Sequence, residues 1–173
     1  RDFQQGSPKR VYRSEKRPSL KGLPVPRYSM LDKYEKNYVT LGRRWLSRIL
    51  PLSVYSLHAS RGCPHACAFC SVSLFFGATH RARPVDEVVA EVKALGGRTY
   101  FFVDDNILGD PEYATALFTK LIPLKIRWCG QATIGAAKNV ELIRLARKSG
   151  CMLLGVGLES LSPATLRSVG KAS

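Results

Sequence analysis

Residues 84–105, PVDEVVAEVKALGGRTYFFVDD, decide the fold class. Val85, Val88, Val89, Val92 and Leu95 recur at helical spacing on one face, and Gly96 and Gly97 end the run, so a helix is expected between Pro84 and the glycine pair. The chain resumes as TYFFVDD, an aromatic run that reads as a strand ending in two carboxylates. The same alternation extends outward on both sides. Upstream, SVYSLHAS (53–60) reads as a first strand. Downstream, a helix opens at Asp110-Pro111, a capping residue followed by proline at the first helical position, and runs through Leu117 and Leu121. IRWCGQAT (126–133) reads as the third strand, and KNVELIRLARKSG (138–150) as the third helix, with Val140, Ile143, Leu145 and Ala146 inward and Gly150 as its stop. CMLLGVGLE (151–159) is the fourth strand, and Ser162-Pro163 starts a last helix. Four strand-then-helix units in succession imply a parallel sheet, because parallel strands need a crossover and helices supply it. The expected class is α/β, with about four βα units in a sheet that is open or curled.

The N-terminal third reads differently. Of 27 Lys and Arg, 13 lie in residues 1–50 against four acids, so much of the formal charge of +14 sits there. Pro8, Pro18, Pro24 and Pro26 interrupt residues 1–30, which show neither helical nor strand alternation. We read residues 1–40 as a basic, proline-containing, irregular connector and residues 41–173 as the core domain, with order beginning near residues 40–53. A basic segment can dock nucleic acid, but Tyr12, Tyr28, Tyr34 and Tyr38 form no stacking motif, so the expectation is a solvated leader, with nucleic acid left open as a partner. No apolar run reaches eighteen residues and the N-terminus lacks the apolar centre of a secretory signal, so a soluble, cytoplasmic protein without a membrane span is expected. The length suits one domain, though many α/β folds are longer and the chain reads as a fragment.

In sheets of this kind chemistry collects at the carboxyl ends of the strands. Here those ends carry the cysteine segment RGCPHACAFC (61–70) after the first strand, Asp104, Asp105 and Asn106 after the second, Gln131 in the third, and Glu159 and Ser160 after the fourth. Ser56, His58 and Ser60 share one face of the first strand, and Gly155, Gly157 and Glu159 share one face of the fourth, which suggests a polar ligand on that side; glycines relieving crowding are the alternative. Five cysteines, three of them clustered, make no disulfide framework. Cys63, Cys67 and Cys70, in the spacing C-x3-C-x2-C, suit three thiolate ligands of a cubane cluster with one iron left open, against zinc or free thiols. Cys129 and Cys151, inside strands, read as small apolar core groups, and Trp45 and Trp128 as packing residues. His65 reads as solvated and His80 carries no signal. Arg81 and Arg83 are read either as solvated or as steadying the cluster loop or binding a carboxylate.

The segment RGCPHACAFC, with Phe69 just before the third cysteine, closely resembles the radical S-adenosylmethionine (SAM) superfamily. The resemblance implies a partial (β/α) barrel of that type and a [4Fe-4S] cluster held by Cys63, Cys67 and Cys70. It also implies SAM on the open iron, cleaved reductively to a 5′-deoxyadenosyl radical for C–H activation. It further implies an adenine contact at Phe69, and SAM contacts at Glu159 and Ser160 with Gln131 as a candidate. Many members carry Gly-Gly-Glu at the end of the second strand; this chain has FVDDNILGD instead, which leaves Asp104 or Asn106 for the SAM amino group. SLKGLPVPRYSMLDKY, ASRGCPHACAFCSV and YFFVDDNILGDP together look like the cobalamin-dependent branch, in which a separate N-terminal domain binds the cobalamin. No Asp-x-His-x-x-Gly cobalamin signature occurs here, and a family barrel would need two more strands, so both ends read as truncated. The implied reaction is methyl transfer or ring formation on a small molecule, with an electron donor such as flavodoxin or ferredoxin. A radical SAM RNA-modifying methylthiotransferase and a non-catalytic electron-transfer or metal-binding module are the alternatives.

Overall fold

A computed structural model describes residues 4–12, 17–31 and 54–171. In chain order the elements are β1 (Val54–Leu57), β2 (Ser60–Arg61), α1 (Ser71–Phe76), β3 (Arg81–Ala82), α2 (Val85–Leu95), β4 (Thr99–Phe102), α3 (Pro111–Leu121), β5 (Arg127–Thr133), α4 (Val140–Lys148), β6 (Cys151–Gly157) and α5 (Pro163–Ser168). β1, β4, β5 and β6 form one sheet in that order, every pair parallel. Helices alternate with its strands, which makes it a partial (β/α) barrel of the expected class.

One core joins the helices to one face of this sheet. Leu57, Tyr100, Phe102 and Trp128 point into it from the strands and meet Val88, Val92, Leu117, Phe118, Leu121 and Ala146 from the helices. Trp128 stacks on Phe118 at 5.0 Å, meets Phe102 edge-on at 5.4 Å, and donates from Nε1 to Ser149 Oγ at 3.0 Å, so its indole is buried without an orphaned N–H. Asp110 caps α3 by accepting from the backbone N–H of Glu112 and Tyr113, with Pro111 behind it. The opposite face carries Phe101, Cys129, Gln131 and Gly155, joined by the registers Phe101↔Cys129 and Gln131↔Gly155. Among the described residues no helix of the core packs on that side, and α1 borders it through Val72 and Ser73. That side is the one the site uses.

Three expectations are corrected. SVYSLHAS is two strands, because the N–H groups of Ala59 and Ser60 turn to the Asp104 carboxylate, after which Ser60–Arg61 pairs antiparallel with Arg81–Ala82. In α4 the buried positions are Leu142 and Ala146, one turn apart, whereas Val140 is 52% exposed at the first position; Asn139 caps the helix by accepting from Leu142 N–H. Part of the connector is docked: Leu20 is buried, Tyr28 donates to Ser56 O at 2.7 Å and packs edge-on against Tyr55, Gly22 N–H donates to the Glu87 carboxylate, and Arg17 donates to Phe75 O. The expected starting point of the ordered core, residues 40–53, and Trp45 lie outside the described residues.

Leu117 has no exposed surface and sits where α3 meets the sheet, so Leu117→Ala is expected to cost about 2–5 kcal/mol. The check is the urea midpoint at unchanged slope; a loss under about 1 kcal/mol would show that this contact is not central to the core.

Candidate active site

The cysteine loop begins at Gly62, whose φ of +86° and whose position, 2.3 Å from Thr79 O to any added Cβ, admit no side chain. Its N–H donates to Asp105 Oδ2 at 2.8 Å. Cys63 follows, buried, with Asn106 Nδ2 3.7 Å from its sulfur. The chain then winds back on itself: Cys70 N–H donates to Cys67 O at 3.1 Å, and Ser73 Oγ donates to His65 O at 2.9 Å. From the other end of the chain Val169 O accepts from Ala68 N–H at 2.9 Å. Strand β4 and the turn after α5 thus hold the loop from two sides. α1 was not anticipated from the sequence; Cys70 stands at its N-cap.

A cleft of about 450 Å³ opens over this loop and the uncovered sheet face. Cys63, Cys67 and Cys70 line it together with Phe69, Gln131, Glu159 and Gly155, so six of the nine residues expected as metal or cofactor ligands meet in one place. A Cβ at Gly155 would find nothing closer than 3.8 Å, which leaves room above the strand and makes crowding no reason for that glycine. At Gly157 a Cβ would come 2.4 Å from Glu159 Oε1, so there the glycine makes way for the protein's own carboxylate.

Three expected residues stand elsewhere. Asp104 is fully buried beneath the loop, where its carboxylate accepts from Ala59 N–H, Ser60 N–H and Ser60 Oγ (2.6 Å), and it does not line the cleft. Asn106, also buried, borders a neighbouring cleft with Pro64, His65 and Thr133, and its Oδ1 has no donor among the described residues. Ser160 Oγ accepts from Ser162 N–H. Arg83 is buried in an ion pair with Glu91 at 2.6 Å and also donates to His58 O; Arg81 donates to Pro18 O, and neither lines the cleft. Asp105, Thr133 and Lys171 line it without having been singled out as ligands. Asp104 continues the parity of the buried Tyr100 and Phe102, and the Ser60 and Ala59 donors meet its carboxylate there, whereas Asp105 faces the cleft.

The electrostatics are those of a half-buried, thiol-rich site. Burial pushes the Cys67 thiol up; the Lys171 ammonium opposes this, while Cys70 and Cys63 reinforce it. Burial raises Cys151, which lies in β6 outside the cleft, to about 11. All five cysteines are free thiols. Among the described residues no three His, Cys, Asp or Glu side chains converge on a point that one ion could occupy. A cubane suits a donor set of three thiolates, since each binds a different iron. No described helix is long and apolar enough to cross a membrane.

The sequence of residues 57–173 matches the family model of the radical SAM superfamily. The chain belongs to that superfamily. It is 30% identical over 180 residues to bacteriochlorophyllide d C-12(1)-methyltransferase of Chlorobaculum tepidum, covering 99% of this chain and 37% of that one. It is 27% identical over 176 residues to hopanoid C-2 methylase of Rhodopseudomonas palustris, covering 95% and 30%. Its fold matches the radical SAM methyltransferase TsrM of Kitasatospora setae, solved with cobalamin and a [4Fe-4S] cluster, at a TM-score of 0.59 and 19% identity over 65% of this chain and 24% of that one. The chain therefore spans between about a quarter and two fifths of the length of these proteins.

Burial raises the Asp104 carboxyl from 3.8 to about 6, against the hydrogen bonds from Ser60 and Ala59. A carboxyl that binds its proton more tightly when folded gives its full contribution below pH about 4 and loses it as pH rises through 6. Wild type should therefore lose stability relative to Asp104→Asn between pH 4 and 6, by on the order of 2 kcal/mol. Paired denaturation curves at the two pH values check this; a constant difference would mean that Asp104 titrates normally.

Proposed function

We propose that this chain is the cofactor-binding core of a radical SAM methyltransferase, acting on a small molecule with the help of cobalamin bound by another part of the protein. The observation that carries this reading is the cleft, in which three free thiols and no fourth stand beside an open glycine-floored strand end. When bound, the cluster and SAM supply one-electron reductive cleavage of the SAM C5′–S bond, giving methionine and a 5′-deoxyadenosyl radical for C–H activation. Cobalamin is proposed because TsrM holds it and because the related proteins named above are methylating enzymes.

Each residue then has a task that its position supports. Cys63, Cys67 and Cys70 hold the cluster and leave one iron for the SAM amino and carboxylate groups. Phe69, 54% exposed at the cleft wall, offers an aromatic face to the adenine. Glu159 and Gln131 are acceptors for the ribose or the ammonium of the ligand, and Asp105, tied to Gly62, takes the place at the strand end that the sequence reading gave to Asp104. Asn106 steadies Cys63 from outside the cleft. The electron comes from a small redox protein of the flavodoxin or ferredoxin kind, and the thiols point to a reducing, cytoplasmic setting.

The test uses the full-length protein, reconstituted anaerobically with iron, sulfide and cobalamin, then reduced in the presence of SAM. Formation of 5′-deoxyadenosine in excess over protein is expected, falling by at least a hundredfold when Cys63, Cys67 and Cys70 are all replaced by alanine. A protein that holds four irons and leaves SAM intact over hours would contradict the reading.

A further inference from the structure

We propose that Lys171 is a positioning residue of the cleft: it holds Glu159 folded over the end of β6 and sets a buried positive charge beside the Cys67 edge of the cysteine triad, favouring the reduced cluster. This rests on the cluster reading above. Lys171 lies twelve residues beyond Glu159, past α5, and nothing in its local sequence marks it.

Its side chain is only 10% exposed, yet it carries an ammonium. Taking an ammonium out of water costs several kcal/mol unless partners replace the hydration. Here Nζ donates to Gly157 O at 2.7 Å and stands 3.2 Å from Glu159 Oε1. An ammonium has three N–H donors, and these two partners use two of them. The backbone brings the lysine to this place deliberately: Lys171 N–H donates to Leu166 O, and Val169 O, two residues earlier, accepts from Ala68 inside the cysteine loop. Lysine and loop are therefore fixed to each other by the same turn.

Glu159 depends on the lysine. Its φ of +62° lies in the left-handed region, which costs a non-glycine residue about 1 kcal/mol or more. Only Gly157 leaves room for the carboxylate to fold back as it does, and the ion pair with Lys171 holds it there. The charge also lies beside the thiols: Lys171 and Cys67 line the same cleft, and the turn that carries the lysine is bonded to Ala68, the residue after Cys67. Three thiolates and a four-iron cluster carry a net negative charge that grows by one on reduction. A neighbouring ammonium stabilises that added charge and a carboxylate opposes it.

The two residues therefore make opposite predictions. Cluster midpoint potentials would be measured without SAM, by EPR-monitored titration of reconstituted full-length wild type, K171M, K171R and E159Q. K171M should shift the reduction equilibrium toward the oxidised form by tenfold or more, about 59 mV lower for one electron. K171R should stay near wild type and E159Q should move upward. A purely structural lysine would leave K171R as damaged as K171M and would give no upward shift in E159Q, and either of those results overturns the inference. If K171M takes up no cluster, E159Q decides alone: an unchanged or lowered midpoint contradicts the proposal. Wild type that takes up no four-iron cluster overturns the underlying cluster reading and the lysine's role with it.

Discussion

The buried carboxylate of Asp104 is the fixed point of this molecule. It takes the N–H groups of Ala59 and Ser60 out of the sheet, which ends β1 and turns the chain into the cysteine loop. Its neighbour Asp105 receives Gly62, and Asn106 approaches the Cys63 sulfur, so three consecutive residues at the end of β4 place the start of the loop. A carboxylate with no exposed surface must have its lone pairs satisfied, and donors from an irregular turn supply part of what burial takes away. One burial constraint thereby fixes where the thiols stand.

The second support comes from the far end of the described chain. The turn after α5 binds the loop through Val169 and Ala68 and carries Lys171 into the cleft. Charged groups of both signs line the cleft with the thiols: Lys171, Glu159 and Asp105. Such a site can hold a cofactor with both an ammonium and a carboxylate, because it offers each a partner. The open sheet face supplies the space, and Gly155 of β6 keeps it free.

Much of this was legible in the sequence. The periodicity of residues 85–95, the Asp110-Pro111 start of α3 and the cysteine spacing are local signals, and each maps onto an element or the cleft as read. What failed was non-local. Asp104 looked like a ligand because it ends a strand, and only its contact with a segment 45 residues earlier makes it structural. Val140 fitted the apolar stripe of α4, yet the Asn139 cap starts the helix there and turns the stripe to Leu142 and Ala146. Lys171 had no signal at all, since its meaning depends on a turn returning to the loop. The basic connector looked solvated because charge and proline predict exposure, and the buried Leu20 and the Tyr28 hydroxyl bond are single contacts that composition does not encode.

The central claim is that three thiols in this cleft leave one iron of a cluster open to SAM. EPR of the reduced cluster in the anaerobically reconstituted full-length protein, recorded with and without SAM, tests it most directly. The account predicts a four-iron signal whose g-values change when SAM is added, because SAM occupies the iron that no cysteine binds. A four-iron signal that saturating SAM leaves unaltered would contradict it.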